Sequence, residues 1–129
     1  MRFSIVGCGA LGTILGAHLL GAGHEVNVRV RGMRLKQIET NGLCVNGLRQ
    51  FSGLGCGSLT INMPVKEDIL VYAVKTYHFE QAFSDVGSSN PLAVFSLANG
   101  VEKTRLLKNR YSESSVLGCM ANFSGELGS

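Results

Sequence analysis

Gly7, Gly9 and Gly12 constrain this chain more than any other feature. They follow a short apolar run, residues 3–6, and lead straight into a helical pattern. A strand that breaks at a glycine turn and restarts as a helix gathers free backbone N–H groups at one point. The positive end of the helix dipole is aimed at the same place, and together they make a seat for a pyrophosphate. Glycines at this spacing are weak evidence on their own, because the chain has 17 of them in 129 residues. Their place between a strand and a helix gives the spacing its meaning.

The helix is expected over residues 10–22, with Leu11, Leu15 and Leu19 four apart. Gly12 and Gly16 also lie four apart on it. Glycine inside a helix costs roughly 0.5–1 kcal/mol relative to alanine, so the pair predicts a close backbone approach to a sheet. Residues 25–30 alternate, with Val26, Val28 and Val30 on one side and Glu25, Asn27 and Arg29 on the other. That pattern predicts a second strand with one polar face. A short helix carrying Leu35 and Ile38 follows and ends at Asn41-Gly42.

Residues 43–63 break into short apolar pieces between glycines, which predicts a small antiparallel insertion. A buried strand over 68–74 runs into Lys75-Thr76, and a helix with Phe79, Ala82 and Phe83 breaks near Gly87. A strand over 92–97 ends at Ala98-Asn99-Gly100. A helix over 101–109 and a last strand over 115–121 complete the order. Strands alternating with helices define an α/β domain spanning residues 1–129 with a doubly wound parallel sheet, the Rossmann arrangement. Ligands of such sheets bind at the carboxyl ends of the strands. The loops there are residues 7–12, 31–34, 75–76, 99–100 and 122–124.

Bulk properties narrow the function further. The net charge is +3 with the basic residues dispersed, which argues against a nucleic-acid surface. No apolar stretch approaches the roughly 18–20 residues of a membrane span. Met1 leads almost directly into the first strand, leaving no expected room for a targeting segment. Cys8, Cys44, Cys56 and Cys119 lack metal-ligand spacing and read as free thiols of a cytoplasmic protein. His18, His24 and His78 form no metal-type pair, so no metal is expected.

The residue at the end of the second strand selects the dinucleotide. A carboxylate there binds the ribose hydroxyls of NAD, whereas a guanidinium suits the 2′-phosphate of NADP. Arg31 holds that position, with Arg34 close by, so the cofactor read from these residues is NADP.

The succession Gly7-Cys8-Gly9-Ala10-Leu11-Gly12, Gly23-His24-Glu25-Val26, Arg31-Gly32-x-Arg34-Leu35 and Asn41-Gly42-Leu43 resembles the ketopantoate reductase family (2-dehydropantoate 2-reductases). Val74-Lys75-Thr76, Asn99-Gly100 and Val116-Leu117-Gly118 continue the resemblance through nearly the whole chain. It implies that Gly7, Cys8, Gly9, Ala10, Leu11 and Gly12 hold the NADP pyrophosphate and that Arg31, the arginine after the second strand, holds the 2′-phosphate; Arg34 joins it on the charge argument above. It implies that Lys75 contacts cofactor and that Asn99 lies near the nicotinamide and a 2-keto acid substrate. Ala98 departs from the glutamine common before Asn-Gly in the family.

The resemblance further implies a second, helical domain that supplies the lysine protonating the developing alkoxide. The sequence ends at Ser129 before such a domain. No proton donor is therefore assigned within these residues, and the chain alone is expected to bind cofactor without meaningful turnover. Faces left open by that domain would favour a homo-oligomer. Two rival readings are a nucleotide-sensing regulatory domain without catalysis, and a reductase of another keto acid or imine.

Overall fold

The computed structural model describes residues 1–45, 51–52 and 57–121. Strand β1 (Arg2–Val6) leads through the glycine turn into helix α1 (Ala10–Gly21). Strand β2 (Glu25–Arg29) and helix α2 (Gly32–Asn41) repeat the unit. Cys44–Val45 (β3) and Phe51–Ser52 (β4) form a two-residue antiparallel pair. Strand β5 (Ser58–Ile61), strand β6 (Ile69–Tyr72), helix α3 (Phe79–Val86), strand β7 (Ala93–Ser96) and helix α4 (Glu102–Arg110) follow. Five strands form one sheet in the order β5–β2–β1–β6–β7, and every neighbouring pair is parallel.

Period-2 alternation divides the core into two. On one face Ile5, Val26, Val28 and Val71 pack with Ala17 and Leu20 of α1 and Ile38 of α2. On the other, Val6, Leu70, Tyr72 and Val94 pack with Phe79 and Ala82 of α3 and Leu107 of α4. Helices therefore cover both faces, which is why β1 and β6 are apolar on both sides. The second face is rich in aromatics: Tyr72 meets Phe83 edge to face at 5.3 Å, and its buried hydroxyl pairs with that of Tyr111. Burial, reinforced by this hydrogen bond, pushes the Tyr72 phenol far above its ordinary range.

The predicted close approach of α1 holds. A Cβ at Gly12 would meet the Gly7 carbonyl oxygen at 2.4 Å, and one at Gly16 would meet the Leu43 side chain at 2.7 Å. The face laid on the sheet carries Gly12, Thr13, Gly16, Ala17 and Leu20, while Leu11, Leu15 and Leu19 flank it half-buried. Small residues bring the helix axis down, and the leucines seal its edges.

Three sequence expectations change. Residues 58–61, placed in the antiparallel insertion, form the parallel edge strand β5 against β2. Among the described residues only β3 and β4 pair antiparallel, and residues 46–50 and 53–56 of that stretch lie outside the described residues. Asn27, assigned to a polar face, is buried: its Oδ1 accepts from Thr60 Oγ1 at 2.8 Å and Met63 N at 3.2 Å, and its amide donates to Met63 O. It thus fastens β5 to the sheet. The last predicted strand shrinks to a single parallel bridge between Val94 and Val116, preceded by a 3₁₀ turn at Glu113–Ser115. Burying only one side of so short a segment gives it little reason to extend. Among the described residues no helix is long and apolar enough to cross a membrane.

Candidate functional site

The chain builds the sheet outward from β1 through β2 to β5, then returns to place β6 on the other side of β1. That reversal leaves a crevice at the carboxyl ends of β1 and β6, where doubly wound sheets take their ligands. Gly7 bridges this point. Its N–H donates to the Arg29 carbonyl at 2.9 Å, its φ is +90°, and a Cβ there would meet Val74 Cγ1 at 2.5 Å. Only glycine fits such a turn without moving the β6 end.

Gly9, by contrast, caps α1 facing open space. A Cβ on it would meet nothing within 4 Å. No side chain caps the helix, and no acidic residue stands in its first turn. The first N–H groups of a helix have no partner within it, so here they are left aimed at an open cradle with the dipole behind them. This is the donor set that suits a pyrophosphate.

A cleft of about 780 Å³ opens beside the turn. Val6, Val30, Val74 and Ala82 give it apolar walls, and Gly7, Cys8, Gly9, Arg31, Arg34 and Asp85 line its polar rim. Five of the residues predicted from sequence thus meet in one cavity. Ala10, Leu11 and Gly12 stand behind it in the first turn of α1. Lys75 and Asn99 are exposed and outside its lining, on the loops after β6 and β7. Adjacent strands are about 4.8 Å apart, so the sheet order arranges Arg31, the glycine turn, Lys75 and Asn99 along one edge in that sequence. The 122–124 loop lies outside the described residues.

The two arginines differ. Arg34 is folded onto the turn: its Nε donates to the Cys8 carbonyl at 2.5 Å, its Nη2 to Thr13 Oγ1 at 2.5 Å and its Nη1 to Gln37 Oε1 at 3.2 Å. Thr13 in turn donates to the Gly9 carbonyl at 2.7 Å. Arg31 reaches outward and forms an ion pair with Asp85 of α3. Burial pushes the Cys8 thiol up to about 12, against the opposing charge of Arg34. The thiol is neutral at physiological pH, so Cys8 serves the site through its backbone.

Several side chains in and around the site were not singled out from sequence. Asn62 has φ +52° and pairs like a strand with Val30, accepting from its N–H at 2.9 Å and donating to its carbonyl at 2.8 Å. It fixes the backbone immediately before Arg31, and an asparagine at a strand end was its sequence signal. Lys103 is buried on α4 and donates to the carbonyls of Ser96 and Cys119, tying down the base of the Asn99 loop. Asp85, Gln81 and His78 enter the cleft from the 3₁₀ turn at Thr76–His78 and from α3. Their helical spacing alone announced nothing of this.

Fold and cleft together define a Rossmann-like α/β domain with an uncapped helix start facing an open cleft at its topological switch point. The family described as Ketopantoate reductase PanE/ApbA matches residues 3–129, and the chain belongs to it. A 2-dehydropantoate 2-reductase from Archaeoglobus fulgidus is 32% identical over 98% of this chain and 41% of its own length. One from Pyrococcus horikoshii is 28% identical over 78% of this chain and 34% of its own. The chain therefore spans about two-fifths or less of these curated relatives. Among solved structures, a PanE/ApbA family ketopantoate reductase from Ralstonia eutropha JMP134 superposes with a TM-score of 0.70 at 26% identity, covering 90% of this chain and 40% of that one. A D-mandelate dehydrogenase solved with NADH and anilino(oxo)acetate gives a TM-score of 0.73 at 21% identity over 90% of this chain and 39% of its own, a likeness of fold.

Proposed function

We propose that this chain is the NADPH-binding part of an oxidoreductase that reduces a 2-keto acid, of the ketopantoate type, to the 2-hydroxy acid. The observation that carries the reading is the order of groups along the sheet edge: Arg31, the open cradle at Gly9, Lys75 and Asn99. It matches the order of 2′-phosphate, pyrophosphate and nicotinamide along one extended cofactor. The residues fit the group chemically as well. The helix start at Gly9 supplies N–H donors for the pyrophosphate, the apolar walls formed by Val30, Val74 and Ala82 suit a flat adenine, and Arg31 supplies a cation for the 2′-phosphate.

NADPH, when bound, supplies the hydride for the ketone carbon. This chain's own part is binding and orientation. Arg34 and Thr13 hold the glycine turn in the shape the pyrophosphate needs. Asn99 presents its side-chain amide to the reacting groups from a loop whose base Lys103 restrains. Lys75 stands between cradle and Asn99 as a cation toward the cofactor. The family resemblance puts the proton donor outside these residues, and we propose that they bind the cofactor without meaningful turnover by themselves. A cytoplasmic location and a small-molecule 2-keto acid partner are part of this proposal, with self-association through faces that a further domain would cover as a secondary element of it.

Parallel titration of the chain with NADPH, NADH and ATP, followed by nicotinamide fluorescence or calorimetry, tests the reading. NADPH is expected to bind most tightly. Preference for NADH or ATP would favour the sensing alternative, and absence of binding would sink both.

A further inference from the structure

Asp85 stands where the cofactor reading has no use for a carboxylate. It lies in the last turn of α3, the end of a helix at which the dipole disfavours an anion. Helix α3 has no basic residue of its own in that turn, and Arg110 of α4 donates there to the carbonyls of Phe83 and Gly87 rather than to Asp85. Both its oxygens are nevertheless engaged. Oδ1 accepts from Gln81 Nε2 at 3.2 Å, and Oδ2 pairs with Arg31, 54 residues away. Gln81, Asp85 and Arg31 all line the cleft, so the pair spans its mouth between the end of β2 and α3. The side chains are 65% and 39% exposed, so the pair is solvated and screened, and another anion can displace it.

We propose that Asp85 is a specificity determinant of the cofactor cleft, holding Arg31 in the ligand-free protein as a stand-in for the 2′-phosphate. This rests on the assignment of Arg31 to that phosphate. A phosphate dianion taking the guanidinium must displace a carboxylate held beside it by Gln81 and then remain close to it. NADPH therefore carries a cost of separation and repulsion. NADH, lacking the phosphate, leaves the pair in place and carries none. Asp85 thus lowers the preference for NADPH below what Arg31 alone would give.

The test is direct binding of NADPH and NADH to the full chain, as wild type, Asp85→Asn, Asp85→Glu and Arg31→Ala, at low and high salt. Asp85→Asn is expected to tighten NADPH by about fivefold and to leave NADH within about twofold. The gain should shrink with added salt, and Asp85→Glu should keep the wild-type ratio. A merely structural role would move both affinities together. Unchanged affinities in Asp85→Asn, in a wild type that prefers NADPH, would overturn the proposal while sparing the role of Arg31. Weakened NADH binding would also overturn it, by making Asp85 a ligand of the ribose hydroxyls. Failure of the underlying assignment has its own signature: no NADPH preference in wild type and no effect of Arg31→Ala. That result removes the proposal with it.

Discussion

The two halves of the cleft are built from different materials. Around the glycine turn the geometry belongs to backbone: Gly7 against the Ala73 carbonyl, Gly12 against the Gly7 carbonyl, and helix N–H groups beside Gly9. At the end of β2 it belongs to long side chains, with Arg31 crossing the cleft to Asp85 and Arg34 folded back on Cys8 and Thr13. Backbone contacts are stiff and specify one shape, whereas exposed ion pairs exchange partners at small cost. The turn is therefore the fixed seat of the proposed cofactor, and the β2 end is its adjustable clasp.

Gly12→Ala attacks the stiff half hardest. Its Cβ would have to displace a backbone oxygen, so a loss of about 3 kcal/mol is expected, read as a fall in thermal midpoint of roughly 10 °C. Gly9→Ala separates fold from function in the same turn. Its Cβ has free space in the protein but fills the cradle, so NADPH affinity should fall at least about tenfold with little change in melting temperature. Equal melting losses at Gly9 and Gly12 would break the distinction between cradle and contact.

The adjustable half should respond more mildly. Arg31→Ala is expected to weaken NADPH by about tenfold and NADH hardly at all, since only the 2′-phosphate loses a partner. Thr13→Val, which removes the hydroxyl linking Arg34 to the turn, should lower stability by about 1 kcal/mol in chemical unfolding. The smallest effect concerns Cys8. Its folded thiol keeps its proton up to about 12, whereas the unfolded thiol loses it near its ordinary value of 9.0. The associated stability is present below pH 9 and lost as pH rises toward 12. At pH 8 peptide mapping should find Cys119 alkylated well before Cys8.

This contrast also explains what could be read from the amino acids. The strand–turn–helix start is legible because local backbone demands, three glycines and an apolar run, act over a dozen residues. The parallel order was legible in the alternation of strands and helices. Ser58–Ile61 is not legible as a parallel strand because its glycine-rich surroundings look like hairpin turns, while its pairing with β2 is fastened by Asn27, far earlier in the chain. Arg31 was legible by its position at a strand end. Asp85 was not, because a carboxylate on an amphipathic helix looks solvated until the fold carries it to the cleft. Lys103 was hidden for the same reason, a basic side chain turned inward onto two carbonyls.

One cofactor is proposed to lie along the carboxyl edge of the sheet from Arg31 to Asn99. Amide shifts of the ¹⁵N-labelled chain, recorded while NADPH is added, test it most directly. The predicted result is a continuous set of perturbed amides at Gly7, Gly9, Leu11, Arg31, Lys75 and Asn99. Shifts gathered instead at the opposite edge, around Arg2, Glu25, Ser58 and Lys66, would contradict it, as would a spectrum that NADPH leaves unchanged.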